Sequence, residues 1–139
     1  MKIMVCYDAS LEANEVLIEA GKHAVAFNAE VVVVTSVVSA QKSYRDTIDI
    51  IEQKLKEAEN YLSEKKISCK TVVSYRNVDD TAGENLSMFA EKENVDLIIV
   101  GVVNKSRLSK FIMGSSVQFL ILSAKCPVLT VKKKSPVSA

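Results

Sequence analysis

Glycine and proline are scarce in this chain, with four of the first and two of the second among 139 residues. So few breakers exclude collagen-like, linker-rich and low-complexity organisation. There is no tryptophan and only one histidine, His23. The three cysteines, Cys6, Cys69 and Cys126, are an odd and widely spaced set with no CxxC pair and no metal-ligand spacing. They read as reduced, buried thiols of a cytoplasmic protein. A thiol nucleophile would want a histidine partner, and His23, midway along a helical pattern, reads as structural. Neither sign of charge dominates: 18 basic against 17 acidic residues leave a net charge of +1. That excludes the electrostatic footprint of a general nucleic-acid binder. No apolar run approaches the roughly 18 residues of a membrane helix. The start, Met1-Lys2-Ile3-Met4-Val5-Cys6-Tyr7-Asp8, meets an acid too early for a secretory segment. The expectation is a cytoplasmic protein with no nucleic-acid or membrane partner.

What the chain does have is a balance of 48% apolar and 25% charged residues, enough for one domain with a real core. Strand-like and helix-like stretches alternate from end to end. Ile3 to Tyr7 reads as a first strand. Ser10 can cap a helix reaching about Asn28, with Ala13, Val16, Leu17, Ala20, Ala24 and Phe27 on one buried stripe. Val31 to Val38 is β-branched with little alternation, the mark of a strand covered on both faces in a parallel sheet. A helix over 43–65 repeats Ile48, Ile51, Leu55, Ala58 and Leu62 at spacings of three and four. Cys69 to Ser74 is a polar third strand placed near an edge. Thr81-Ala82-Gly83-Glu84 is a capping box opening a helix that carries Leu86, Phe89 and Ala90, and Asp79-Asp80 before it is a solvated helix start. Val95 to Val100 is the fourth strand. A helix from Gly114-Ser115-Ser116 shows Val117, Leu120, Ile121 and Ala124, and Val128 to Val131 is the fifth strand. Five strands alternating with helices predict an α/β fold with a parallel sheet and helices on both faces. Ligands of such sheets bind beyond the carboxyl ends of the strands.

The stretch from Gly101 to Ser116 carries the most chemistry. It holds Lys105, Arg107 and Lys110 and no acid, and it ends on Gly114-Ser115-Ser116 at a helix start. Free backbone N–H groups, a positive dipole end and two hydroxyls suit a phosphate. A plain helix cap beside a solvated basic face fits the same residues. There is no GxxxxGK of a P-loop and no GxGxxG of a dinucleotide site. The turn Asp8-Ala9-Ser10 is poor for a flavin phosphate, and strand three ends near Ser74-Tyr75-Arg76 without the acceptor Asp of a receiver domain.

The order and spacing of these pieces resemble the universal stress protein family. That family's nucleotide signature is Gly, two residues, Gly, nine residues, Gly, then Ser or Thr. It aligns here as Gly101, Val102-Val103, Asn104, Lys105 to Met113, and Gly114-Ser115. Val5-Cys6-Tyr7-Asp8-Ala9-Ser10 resembles the family's first strand, and Cys126-Pro127-Val128-Leu129-Thr130-Val131 its last. The resemblance covers the whole chain, with a domain over 1–132 and a tail over 133–139. It implies a Rossmann-like open sandwich with sheet order 3-2-1-4-5. It implies an adenine nucleotide, ATP for preference, with Mg or Mn beside it and no protein side chain assigned to the metal. Asp8 and Ala9 would contact the adenosine part. Ser36 and Val37 would border the base. Gly101, Val103, Asn104, Arg107, Gly114, Ser115 and Ser116 would wrap ribose and phosphates. Asp8 also reads as a plain charge before the first helix, where a carboxylate is favourable. The family resemblance further implies a homodimer through the last strand, although Lys132, Lys133 and Lys134 could simply guard that edge.

Three departures from the family pattern matter, one of them the Val102-Val103 pair, which is less polar than the family's usual one. Asn104 stands where the signature has its middle glycine, and Ser36 where an apolar residue is typical. Asn is the best substitute if that position needs positive φ, and an obstruction if backbone must approach phosphate there. The readings are an adenine-nucleotide-binding stress-response or signalling module, a dimeric scaffold without nucleotide, and a slow ATPase. No acid or histidine between Gly101 and Ser116 can position water, so no catalytic residue is assigned and turnover should be slow or absent. Asn104→Gly should keep or raise ATP affinity. Calorimetric titration checks this, and weaker binding by the variant would count against the alignment at that position.

Overall fold

The computed structural model describes residues 1–7, 11–39, 44–102 and 115–132. Their elements are β1 (Lys2–Cys6), α1 (Leu11–Phe27), β2 (Glu30–Val38), α2 (Tyr44–Glu64), β3 (Cys69–Arg76), α3 (Ala82–Lys92), β4 (Leu97–Val102), α4 (Ser115–Ser123) and β5 (Val128–Lys132). The five strands form one sheet in the order β3-β2-β1-β4-β5, and every pairing is parallel. The expected fold class and strand order are therefore observed.

The sheet is covered on both faces, which explains its uninterrupted valines. Val31 and Val33 join Ile3, Val5 and Ile99 under Val16, Leu17 and Ala20 of α1 and Leu55, Ala58 and Leu62 of α2. Val32 and Val34 join Met4, Ile98 and Val100 under Leu86 and Ala90 of α3 and Val117 and Leu120 of α4. Strand alternation thus separates two cores.

Three of the helices close on the same turn without a glycine. Asn28, Lys66 and Asn94 have φ of 51°, 61° and 54°. The next residue's N–H reaches back five positions in each case: Ala29 to Ala24, Ile67 to Leu62, and Val95 to Ala90, at 2.9, 3.1 and 3.0 Å. This is the Schellman arrangement, and Ala29, Ile67 and Val95 are all buried behind it. Asparagine is the natural replacement for glycine in this conformation, whereas Lys66 carries the full Cβ penalty.

The capping box forms as expected, with the Glu84 N–H donating to Thr81 Oγ1 at 3.1 Å. Within that first turn, Gly83 is buried against α4. A Cβ there would lie 2.9 Å from Phe119 Cβ and 3.1 Å from both Cα and the carbonyl oxygen of Ser116. The bare backbone lets the first turns of α3 and α4 meet.

Several finer expectations are corrected. Phe27 is 57% exposed; it follows the last core turn of α1 and lies against the His23 ring at 6.1 Å between centroids. Ile121 is 43% exposed, on the side of α4 away from Val117 and Leu120. β4 starts at Leu97 because Val95 completes the α3 turn, and Asp96 instead accepts from Lys2 N at 2.8 Å. β3 runs on to Arg76, in register with Val38. The cysteines are free, and half-buried rather than buried.

Gly83→Ala should destabilise the fold by about 1–2 kcal/mol, because overpacking costs of 1–3 kcal/mol outweigh the helix gain of 0.5–1 kcal/mol. Urea unfolding checks the sign; a more stable variant would mean the α3–α4 contact yields freely.

Candidate functional site

Strand order reverses between β1 and β4, with β2 and β3 to one side and β5 to the other. Cys6 lies opposite Val100, so Tyr7 and Gly101 are the next residues out at the carboxyl rim. Tyr7 is tied down twice. Its N–H donates to the Val34 carbonyl at 2.9 Å, and its carbonyl accepts from Thr35 Oγ1 at 2.7 Å. Thr35 is buried, so this hydroxyl–carbonyl bond fixes where the chain leaves β1. Nothing but a hydroxyl ending a valine run marked Thr35 in the sequence.

Of the residues assigned to the site from sequence, Ser36, Val37, Gly101, Ser115 and Ser116 belong to described elements. Asp8, Ala9, Val103, Asn104, Arg107 and Gly114 lie outside the described residues. Gly101 is in β4, opposite Val131 of β5. Ser115 and Ser116 open α4, and Gly83 is the seat on which the Ser116 backbone rests. Ser36 and Val37 sit on adjacent positions of β2 and so face opposite ways. Val37 is buried, while Ser36 turns toward α3.

That turn reveals a group absent from the sequence reading. Ser36 Oγ donates to Asn85 Oδ1 at 2.6 Å and accepts from Arg76 Nη1 at 2.8 Å. Asn85 Nδ2 in turn donates to the Tyr75 carbonyl at 3.4 Å. Arg76 also closes the rim through its backbone, its carbonyl accepting from Ser39 N at 3.0 Å. Its guanidinium has no carboxylate partner among the described residues, and its Nε is buried with no hydrogen bond. An arginine ending β3 in register with the end of β2 was the available signal; it depended on knowing the register.

Charge elsewhere is spent on structure. Lys70 and Glu93 pair at 2.8 Å near the amino end of the sheet, the bond raising the ammonium pKa and lowering the carboxyl pKa. Burial pushes the Cys69 and Cys126 thiols up, away from thiolate reactivity. His23 Nδ1 lies 2.9 Å from the Glu19 carbonyl, a bond within α1. A cavity of about 180 Å³ between α1 and α2 is lined by Tyr7, Leu17, Ala58 and Tyr61 among others. That is below the roughly 300 Å³ at which ligand pockets begin. Among the described residues no three acid, cysteine or histidine side chains converge as a metal site, and no helix is long and apolar enough to cross a membrane.

A five-stranded parallel sheet with this order and a reversal at β1/β4 defines a Rossmann-like α/β protein, the class whose ligands bind at the switch point. The chain belongs to the universal stress protein family, whose model matches residues 1–132. It is 28% identical over 133 residues to a universal stress protein of Methanocaldococcus jannaschii, covering 88% of this chain and 78% of that one. A universal stress protein of Archaeoglobus fulgidus, solved in complex with dAMP, superposes with a TM-score of 0.78 at 23% identity, covering 94% and 96% of the two chains. An Arabidopsis thaliana family member with AMP bound gives a TM-score of 0.71 at 18% identity, covering 97% and 93%.

Proposed function

We propose that this chain binds an adenine nucleotide at the carboxyl rim of β1, β2 and β4 and serves as a stress-response or signalling module. The observation that carries the proposal is the reversal of strand order at β1/β4, where Gly101 of β4 lies one residue beyond the Cys6–Val100 pair and α4, the next described element, opens on Ser115 and Ser116. The adenine nucleotides held by the Archaeoglobus and Arabidopsis relatives support the class of ligand. In this reading Asp8 and Ala9 meet the adenosine part and Ser36 and Val37 border the base. Gly101, Val103, Asn104, Arg107, Gly114, Ser115 and Ser116 take ribose and phosphates. ATP is the nucleotide proposed, with Mg or Mn arriving on its phosphates. Hydrolysis is slow or absent, since the loop offers no acid or histidine.

A nucleotide-free dimeric scaffold is the second reading, favoured by Asn104 at the signature glycine and by the surface around β5. β5 is an edge strand, and α4, which leads into it, exposes Ile121 and Leu122, the latter by 78%. Edges of this kind invite pairing across a two-fold axis.

Protein purified without added nucleotide should release an adenine nucleotide on acid treatment, or bind Mg-ATP at micromolar strength by calorimetry. Gly114→Val should abolish that binding, since a β-branched side chain would fill the phosphate approach; retained affinity would place the site elsewhere. Light scattering at micromolar concentration should give twice the 15.2 kDa chain mass. A monomer would remove the proposed β5 pairing.

A further inference from the structure

We propose that the groove between α1 and α2, against the side chain of Tyr7, is a binding site for a small organic ammonium, an amine carrying one aromatic ring. The site is separate from the nucleotide reading and does not depend on it. Its origin is visible in the sequence. α2 presents Leu55, Ala58 and Leu62 to the core, and Ala58 has a methyl group where its neighbours carry isobutyl groups. A cavity of about 180 Å³ lies beside it, although protein interiors otherwise leave few voids larger than a water molecule. Leu17 and Ala58, 5% and 1% exposed, form its apolar floor.

Two tyrosines complete the lining on this side of the sheet. The Tyr7 backbone is held by Val34 and Thr35, so its place is fixed before any ligand arrives. Tyr61 reaches from α2 to the bare backbone of Gly21, where a Cβ would lie 3.9 Å from Tyr61 Cε1. The cavity is too small for a nucleotide. It exceeds the roughly 150 Å³ at which an apolar cavity admits benzene, so one six-membered ring fits.

The rim sets the sign of the charge. Glu57 is the single charged side chain of the lining, and its carboxylate pairs with Lys54 at 3.6 Å in an exposed contact. Pairs of that kind are worth little and give way readily. Asn14 adds an amide oxygen as a further acceptor. Tyr61 already attracts one ammonium, since Lys65 Nζ lies 5.1 Å from its ring centroid. An amine at the rim would therefore meet a carboxylate, an amide oxygen and an aromatic ring. An acid there would meet the charge of Glu57 and no basic residue of the lining.

Amide NMR titration of the isotope-labelled chain with benzylamine, benzyl alcohol and benzoate at neutral pH tests this. Benzylamine should shift the amide signals of Leu17 and Ala58 with a millimolar dissociation constant. Benzyl alcohol should bind about tenfold more weakly, the combined worth of one exposed ion pair and one cation–π contact. Benzoate should shift nothing there. Glu57→Gln should weaken benzylamine about threefold and leave benzyl alcohol unchanged. Ala58→Met should fill the groove and abolish binding. Where that variant does not fold, Ile18→Trp, a change at the 38% exposed edge of the groove, should cover its mouth with the same result. Benzoate or benzyl alcohol binding as tightly as benzylamine would overturn the proposal. So would the absence of shifts at Leu17 and Ala58, wild-type benzylamine affinity in Glu57→Gln, or wild-type affinity in a folded groove-blocking variant. Each of these outcomes leaves the nucleotide reading untouched.

Discussion

The pairing of β1 between β2 and β4 is the constraint on which everything else in this molecule depends. Val5 sits opposite Val33 on one side and Ile99 on the other, and all three are fully buried. Parallel strands cannot be joined by tight turns, so each pairing demands a crossover helix, and the right-handed crossover fixes which face that helix covers. The strand order reverses between β1 and β4. That reversal sends α1 and α2 to one face and α3 and α4 to the other.

The rim is held by few contacts of different kinds. Thr35 pins the exit of β1 through one buried hydroxyl, worth about 1 kcal/mol as a hydrogen bond but decisive for direction. Gly83 sets how close α3 comes to α4 and so where α4 begins. Arg76 and Asn85 bind the end of β3 to α3 through Ser36. None of these is a ligand contact by the family pattern. Together they hold the end of β1, the side chain of Ser36 and the start of α4 in place.

Most of the fold was legible in the sequence because burial on both faces writes itself as continuous valine and isoleucine, and helices as stripes of three and four. The strand order was legible only through the family resemblance; periodicity carries no information on which strands are neighbours. Phe27 and Ile121 were misplaced because an apolar residue at a helix end or on its outer flank satisfies the same spacing as a core residue. Val95 was misplaced because a Schellman turn ending in a buried valine looks like the start of a strand. At the site, Ser36 was legible as an anomaly, whereas its partners were not. Arg76 and Asn85 lie 40 and 49 residues away along the chain, and only the β2–β3 register and the seating of α3 bring them together.

The glycine-free helix ends have a consequence on the side of the unfolded chain. Asn28, Lys66 and Asn94 are held in a left-handed conformation that costs a residue with a Cβ roughly 1–2 kcal/mol, least for asparagine. Glycine would relieve that strain in the native state, yet it would also give the denatured ensemble more conformations to lose on folding. By keeping only four glycines the chain restricts its own disorder when unfolded. Part of its stability is thus entropy withheld from the competitor, and no native contact records it.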